Sequence, residues 1–268
     1  MHPIFQFFHR DIPAYGIMAV TGALAGLLLS QAIAIYDKRN AKYRDDLAYI
    51  YVFGLVGAAV GAKLLYLMTV LPSFFSDLAY IVKNPYGFFQ KYFAGGFVFF
   101  GGVFGAIFAA YREAKAYRVQ LRDFFPSLLP AVALFSAIGR IGCLLAGCCY
   151  GCEVGADCPI AIVYPPNGIA PAGVPLMPVP LIEAGFDLML MVLMIYMTRP
   201  ARSKPYALQT YIGCYAAMRF VLEFFRGDSA RGIFGFFSTS QWISLAILAA
   251  LIFVKKFLKE ECSCWPQK

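Results

Sequence analysis

Charged residues are scarce in this sequence: Asp, Glu, Lys and Arg make up 14% of its 268 residues. Soluble domains contain about 25% charged and about 45–50% apolar residues. This chain is instead 60% hydrophobic and 17% aromatic, with a mean hydropathy of +0.67. A soluble core cannot bury such an excess, because core volume is limited at this chain length. The composition therefore excludes a soluble enzyme, a disordered chain and a coiled coil.

Cysteines and repeats are also too few to define an architecture. Eight cysteines, unevenly spread over the chain, do not make a small disulfide scaffold. The sequence shows no tandem repeat and no low-complexity run. The first apolar segment is too long for the core of a signal peptide and has no convincing cleavage site, so we treat it as part of the structure.

Long apolar stretches are what the sequence has in abundance. A membrane-spanning helix needs about 20 mostly apolar residues, and seven stretches qualify. These stretches are residues 12–36, 47–71, 94–111, 124–146, 178–198, 207–225 and 238–254. The sequence therefore predicts an all-α, polytopic membrane protein with seven transmembrane helices.

The basic residues are distributed very unevenly between the two sides of these helices. Fifteen of the 23 lie in the connections and tail on one side: Lys38, Arg39, Lys42, Arg44, Arg112, Lys115, Arg118, Arg122, Arg199, Arg202, Lys204, Lys255, Lys256, Lys259 and Lys268. The opposite side holds Arg10, Lys83, Lys91, Arg226 and Arg231. This asymmetry predicts an N-terminus outside and a cytoplasmic C-terminus. The net charge of +8 is thereby explained by topology, and no basic stripe is left for nucleic acid.

Two segments on the outer side are longer than simple turns. Residues 72–93 are rich in aromatics and interrupted by Pro72 and Pro85, which is typical of an interfacial arm. Residues 147–177 contain cysteines followed by a Pro/Gly-rich run without helical periodicity, which predicts an external cap loop. We expect residues 1–268 to form a single transmembrane domain that carries this arm and cap.

Several ionisable residues fall inside or at the edge of the apolar stretches. They are Lys63, Arg140, Glu183, Asp187, Arg219, Glu223 and Arg226. Because ionisable groups in hydrocarbon are costly and face a cavity or one another, each is a candidate site residue. Tyr215, Arg219, Glu223 and Arg226 follow at steps of four, four and three, which places them on one helical face. The alternative is an Arg219–Glu223 pair that only neutralises itself.

Arg140 lies among glycines in the sequence AIGRIGCLLAGCCYG, residues 137–151. A guanidinium keeps its charge and presents a planar fork that suits a phosphate, and the glycines leave room beside it. These residues predict a pocket for a phospholipid headgroup near the outer leaflet. The block GGFVFFGGVFG, residues 95–105, indicates either helix packing or an unwound segment that lines a cavity, and the sequence does not decide between them.

The outer cysteines allow several interpretations. They are Cys143, Cys148, Cys149, Cys152 and Cys158. On an oxidising side, Cys152 and Cys158 are expected to close a short disulfide. A metal site lacks the usual paired CxxC frame, and a catalytic thiol at Cys143 or Cys148 beside Arg140 is the third interpretation. We expect Cys214 to serve helix packing, and Cys262 and Cys264 to be free in a cytoplasmic tail.

An ordered set of motifs resembles the prolipoprotein diacylglyceryl transferase family. The set comprises Pro13-Ala14-Tyr15-Gly16, the block Gly61–Tyr66, the GGxxxxGG and GRxG blocks, Pro178 with Leu181 and Glu183, Tyr-xxx-Arg-xxx-Glu-xx-Arg-x-Asp at 215–228, and Ser240-Gln241-xx-Ser244. Each block is weak by itself, but the order and the coverage of about residues 13 to 244 are specific.

The resemblance implies a reaction and a set of residues. In this family the cysteine thiol of a lipoprotein precursor attacks the glyceryl carbon of phosphatidylglycerol, a diacylglyceryl thioether forms, and glycerol phosphate leaves. The residues with an implied catalytic role are Arg140, Arg219, Glu223 and Tyr215. Those with an implied substrate-binding role are Tyr15, Lys63, Gly96, Gly101, Gly102, Cys143, Cys148, Gly151, Glu183 and Arg226. The arginines would stabilise the charge that grows on the leaving phosphate.

This sequence departs from the family pattern on the acceptor side. Phe100 replaces the family's histidine, Cys143 and Cys148 replace an asparagine and an acidic residue, and Lys63 replaces an arginine. The usual polar residues of the HPSQLYE block are replaced by Met177, Val179, Pro180 and Ile182. These departures indicate a paralogue that uses the same lipid donor with a different acceptor or different proton handling.

The remaining expectations follow from this assignment. We expect a monomeric, multi-pass enzyme of the bacterial plasma membrane that acts on an anionic phospholipid, with no cofactor and no metal. Two alternatives stay open. One is a non-enzymatic lipid transporter or scramblase, although the outward-crowded charges argue against it. The other is a membrane thiol-redox protein centred on the cysteines.

Overall fold

A computed structural model describes most of the chain as helix. The described residues are 4–7, 10–36, 43–78, 81, 84–94, 96–155, 157–166, 169–198, 206–227 and 233–263. Cys264 and Asp228 lie outside the described residues, as do these basic residues behind the predicted orientation: Lys38, Arg39, Lys42, Lys83, Arg199, Arg202, Lys204, Arg231 and Lys268. The chain divides into two compact units, one of Met1–Leu29 with Phe125–Lys268 and the other of Ser30–Phe124. The expectation of a single domain stays a prediction.

The helices follow the apolar stretches of the sequence closely. In chain order they are α1 (Ala14–Tyr36), α2 (Arg44–Thr69), α3 (Leu71–Ser76), α4 (Pro85–Phe89), α5 (Phe99–Ala116), α6 (Leu121–Ala146), α7 (Val179–Thr198), α8 (Ala207–Leu222) and α9 (Thr239–Ser263). Short antiparallel strands pair as β1 (Ile4–Phe7) with β2 (Arg10–Pro13), β3 (Ile162–Val163) with β4 (Pro175–Leu176), and β5 (Ile233–Phe234) with β6 (Phe237–Ser238).

Four helices among the described residues are long and apolar enough to cross a membrane. These candidate spans are Ala14–Tyr36, Arg44–Thr69, Leu121–Ala146 and Val179–Met197, and Thr239–Phe253 is a shorter apolar helix. The prediction of an all-α membrane protein is confirmed at this level. Each of the seven predicted stretches contains a helix, but α5 begins at Phe99 rather than 94, and α8 ends at Leu222 rather than 225.

Glycines set the packing of α2 against α5 in the unit Ser30–Phe124. A methyl group on Gly61 would overlap the backbone of Gly101, and one on Gly105 would overlap the backbone of Gly57. The two helices therefore touch backbone to backbone, as small residues permit in membranes. Gly102 lies against Ala58 and Ala62 of α2. The structure thus supports helix packing for Gly101 and Gly102, and their substrate-binding role stays a prediction.

This contact yields a prediction with an internal control. Gly105→Ala is expected to destabilise the protein by about 1–3 kcal/mol, because the added methyl meets backbone that cannot move aside. Gly54→Ala, also within this helix pair, places its methyl 3.9 Å from the nearest atoms and should be neutral or stabilising. Thermal denaturation in detergent measures both variants. Equal melting temperatures for the two would contradict the packing.

The predicted arm contains α3, α4 and a π-helical turn at Gln90–Ala94. Phe74, Phe88 and Tyr92 form an aromatic cluster with ring centroids 4.8–5.3 Å apart. Asp77 accepts hydrogen bonds from Lys91 Nζ (2.5 Å) and from the Tyr92 hydroxyl (2.7 Å). These two hydrogen bonds lower the pKa of Asp77. The predicted arm is thus a locally packed structure, and its place at a membrane surface stays a prediction.

Helices α6, α7 and α8 position the polar centre of the other unit. Leu129, Leu190, Met194 and Ala207 form a buried apolar cluster at the ends of these helices away from the centre. At α9, Ser238 and Gln241 form a capping box: Gln241 N donates to Ser238 Oγ (3.2 Å) and Ser238 N donates to Gln241 Oε1 (2.9 Å). Gln241 therefore acts as a buried helix cap.

Candidate active site

The carboxylate of Glu183 on α7 lies at the centre of the site. Its side chain has no exposed surface, and three arginines surround it. Arg140 Nη1 lies 2.7 Å from Glu183 Oε2, Arg219 Nη1 bonds to Oε1, and Arg226 Nη1 lies 3.6 Å from Oε1. A buried carboxylate is costly unless it is paired. One carboxylate thereby holds together guanidiniums from three segments of the chain.

Helical spacing explains how α6 and α7 meet at this point. Ser136 and Arg140 lie one turn apart on α6, and Glu183 and Asp187 lie one turn apart on α7. Ser136 Oγ donates a 2.6 Å hydrogen bond to Asp187 Oδ2, beside the Arg140–Glu183 pair. Sequence reasoning noted Asp187 only as an ionisable residue and missed Ser136. The shared four-residue spacing is the signal that could have identified both.

Helix α8 supplies the predicted polar stripe in a modified form. Arg219 bonds to Glu183 and also lies 3.5 Å from Glu223 Oε2, so the alternative of a self-contained Arg219–Glu223 pair is wrong. Tyr215 stacks on Tyr211 with ring centroids 6.5 Å apart, and it interacts electrostatically with Arg140 and Arg219. The helix ends at Leu222, and a 3₁₀ turn at Glu223–Phe225 brings Arg226 toward Glu183.

Backbone hydrogen bonds hold Arg226 against the cap loop. Gly151 pairs with Arg226 in an antiparallel bridge, and Cys152 N donates to Phe225 O at 2.8 Å. Gly151 N also donates to Met177 O at 2.9 Å. A side chain at Gly151 would collide with the backbone oxygens of Met177 and Phe225. Gly151 therefore contributes to the site by close backbone approach.

The end of α6 folds back on itself at the cysteines. Cys148 N donates to Cys143 O and Gly147 N donates to Leu144 O, and Gly147 has a left-handed φ of 68°. These are the hydrogen bonds of a Schellman cap. The Sγ atoms of Cys143, Cys148 and Cys149 consequently lie within 4.8 Å of one another.

Charge and hydrogen bonding shift the pKa values of Cys148 and Cys149 in opposite directions. Hydrogen bonding to the thiols of Cys143 and Cys149, together with burial, raises the pKa of Cys148. Hydrogen bonds from Cys143 and Cys148, together with the charge of Arg226, lower the pKa of Cys149. The positive charge of Arg226 thus favours the thiolate form of Cys149.

The expected Cys152–Cys158 disulfide is absent, because all six cysteines whose side chains the structure describes are free thiols. The two cysteines belong to segments with separate backbone hydrogen bonds. Cys152 is fixed between Phe225 and Met177 by 2.8 Å and 3.0 Å hydrogen bonds. Cys158 lies in a separate turn closed by its own hydrogen bond to Gly155.

Tyr15 completes the described surroundings from α1. Its ring lies against Gly142, where an added methyl would be 3.3 Å away. Tyr15 also interacts electrostatically with Cys143 and Arg140. The centre thus combines three guanidiniums, the carboxylates of Glu183 and Glu223, two tyrosines and three thiols. Guanidiniums have more N–H donors than these carboxylates use, so the arrangement can bind an anion with a planar oxygen edge.

Comparison with known proteins agrees with this chemistry. The family model described as prolipoprotein diacylglyceryl transferase matches residues 3–255. The chain belongs to the prolipoprotein diacylglyceryl transferase family. Among its relatives, a phosphatidylglycerol–prolipoprotein diacylglyceryl transferase of Clostridium tetani is 33% identical over 95% of this chain and 96% of its own length. A relative from Clostridium perfringens, named phosphatidylglycerol–prolipoprotein diacylglyceryl transferase 2, is 31% identical over 91% of this chain and 90% of its own length. Another phosphatidylglycerol–prolipoprotein diacylglyceryl transferase, from Geobacter sulfurreducens, is 29% identical over 90% of this chain and 88% of its own length.

The structure brings most of the residues implied by the family resemblance together. Those gathered around Glu183 or beside it are Arg140, Arg219, Glu223, Arg226, Tyr215, Tyr15, Gly151, Cys143 and Cys148. Lys63 and Gly96 belong to the unit Ser30–Phe124. There Lys63 Nζ donates to Gly96 O at 3.5 Å and lies 4.9–5.1 Å from the ring centres of Tyr66 and Phe97. A substrate-binding role for Lys63 and Gly96 stays a prediction.

Proposed function

We propose that the protein transfers the diacylglyceryl group of phosphatidylglycerol to the cysteine thiol of a prolipoprotein. The observation that carries this proposal is the convergence of Arg140, Arg219 and Arg226 on the buried Glu183. Three preorganised guanidiniums in a water-poor site suit a phosphodiester. The family membership and the names of its relatives supply the reaction class.

The charges of the site match the charge development of this reaction. The acceptor sulfur attacks the glyceryl carbon next to the phosphate and forms a C–S bond, while the C–O bond breaks. The bonding electrons move to the phosphate oxygen, glycerol phosphate leaves, and the thiol proton is released. Arg140 and Arg219 stabilise the growing negative charge. Glu183 positions the arginines, and Glu223, Arg226, Tyr15 and Tyr215 line the same pocket.

The topology completes the proposal. Seven transmembrane helices with the N-terminus outside would place the ends of α6 and α8 that carry Arg140 and Arg219, and the start of α7 that carries Glu183, toward the outer leaflet. The anionic donor would enter from that leaflet of the bacterial plasma membrane. We propose that one chain, acting as a monomer, contains the whole site.

A different acceptor is the second candidate, and one observation favours it: Phe100 and the apolar residues 177, 179, 180 and 182 stand where the family has polar ones. The names of the relatives favour the prolipoprotein thiol instead. Both candidates share the lipid donor and the arginines, and they differ only in the nucleophile.

A complementation experiment separates these candidates. The gene is expressed in a bacterium depleted of its own prolipoprotein transferase, and lipoproteins are examined by mass spectrometry. We expect growth to be restored and the lipobox cysteine to carry a diacylglyceryl thioether. An Arg140→Gln variant expressed at the same level should do neither. Depletion of phosphatidylglycerol without lipoprotein modification would instead establish a different acceptor.

A further inference from the structure

We propose that Cys143, Cys148 and Cys149 form a three-sulfur site for a thiophilic d¹⁰ cation of the zinc class, and that its fourth position takes the acceptor thiol. This inference rests on the proposed function, since it names how that reaction's nucleophile is held. It revises the expectation of no metal, which was based on the missing CxxC frame in the sequence.

The sulfur positions suit one small cation. All three Sγ atoms lie within 4.8 Å of one another. Zinc–sulfur bonds of about 2.3 Å in a tetrahedron place neighbouring sulfurs about 3.8 Å apart. Side-chain shifts of about 1 Å or less therefore close the described cluster around an ion. No other His, Cys, Asp or Glu of the described chain joins this group, so one tetrahedral position is left over.

The backbone builds this cluster without the usual sequence frame. The Schellman cap at the end of α6 brings Cys148 back into contact with Cys143. The Sγ of Cys148 lies 3.6 Å from Cys143 O. Cys149 follows with a left-handed φ of 60°, a conformation that costs a non-glycine residue free energy. The bridge of Gly151 to Arg226 then fixes the following chain. Three residues from a helix end and its turn thereby present sulfur to the same point.

Donor type and charge define the ion. Three sulfurs without an oxygen or nitrogen donor select soft or borderline cations over Mg²⁺ and Ca²⁺. Three thiolates around a divalent ion carry one net negative charge. Arg140 interacts electrostatically with Cys143 and Cys149, and Arg226 interacts electrostatically with Cys149. These guanidiniums balance the charge and link the cluster to the phosphate pocket.

The open coordination position would replace the general base that the sequence lacks at Phe100. A thiol that coordinates such an ion loses its S–H proton to water and is held as a thiolate. This thiolate attacks the glyceryl carbon as the C–O bond to phosphate breaks, and the electron pair leaves on the phosphate. The product thioether is neutral and leaves the cation free. Metal and cysteines are unchanged at the end of the cycle.

Metal content tests the site directly. The full-length protein in detergent is incubated with Zn²⁺ alone, passed through a desalting column and assayed for bound zinc. We expect about one zinc per chain in the wild type and in Cys158→Ser, whose thiol lies in the same loop outside the cluster. The triple variant Cys143→Ser/Cys148→Ser/Cys149→Ser should bind none. Equal zinc in wild type and triple variant would overturn the site, and so would a disulfide within the cluster in freshly purified protein.

Cobalt substitution tests the acceptor's place independently of turnover. Co²⁺ bound to thiolates gives a sulfur-to-metal charge-transfer absorption. A lipobox peptide should increase this absorption, whereas the same peptide with serine for cysteine should not. No difference between the peptides would overturn the role of the fourth position.

Two further results distinguish this inference from the proposed function. A wild-type protein that binds zinc but transfers nothing would refute the function and leave the metal site standing. A triple variant that binds phosphatidylglycerol and transfers at the wild-type rate would refute the inference and leave the function standing. Phosphatidylglycerol binding and the melting temperature of the variant show whether it is folded.

Discussion

Arg140→Gln and Arg219→Gln are each expected to lower the rate of diacylglyceryl transfer by about 100-fold or more, with the protein still folded in detergent. The loss corresponds to about 3 kcal/mol of transition-state stabilisation, the usual effect of removing one preorganised donor. Folding should survive because Glu183 keeps two of its three arginine neighbours in either variant. The measurement is the initial rate with phosphatidylglycerol and a lipobox peptide, alongside thermal denaturation.

A matched substitution controls for the loss of a positive charge. Arg112→Gln on α5 changes the same residue type at an exposed position and should leave the rate unchanged. Arg219→Lys keeps the charge but loses the planar fork, so its rate should fall between those of Arg219→Gln and the wild type. Near-normal turnover in Arg140→Gln or Arg219→Gln would contradict the headgroup pocket.

The helices and the arginines of the site could be predicted from the sequence for a simple reason. Length and hydropathy are local properties, and each apolar stretch does contain a helix. An arginine inside such a stretch is conspicuous because its burial is costly. Arg140 and Arg219 could therefore be predicted as site residues from the sequence, and the structure brings both to the carboxylate of Glu183.

The parts that could not be predicted depend on contacts between distant segments. The early end of α8 at Leu222 follows from the bridge between Gly151 and Arg226, which no local pattern near residue 222 shows. The central place of Glu183 depends on three partners, of which the closest in sequence is 36 residues away. The thiol cluster lies within seven consecutive residues, but only the Schellman cap turns that spacing into a contact.

Glu183→Gln is expected to destabilise the protein more than either arginine variant, because it removes the charge that the three guanidiniums share. Breaking a buried ion pair by removing one partner costs about 3–5 kcal/mol. The glutamine amide also directs an N–H donor at an arginine, so at least one guanidinium loses its acceptor. We expect a clearly lower melting temperature in detergent and loss of transfer. Glu183→Asp should recover part of the stability, since it retains the charge on a shorter side chain.

A double variant tests whether unbalanced positive charge causes this loss. Arg226 Nη1 lies 3.6 Å from Glu183 Oε1, and only 2% of the Arg226 side chain is exposed. Of the three guanidinium charges, that of Arg226 is therefore the least able to reach water. Adding Arg226→Gln to Glu183→Gln should therefore raise the melting temperature above that of Glu183→Gln alone, although each substitution lowers it by itself. This non-additivity is what a shared buried charge network produces. Strictly additive losses would mean that Glu183 stabilises the fold through packing, and that the arginines are held in place by something other than its carboxylate.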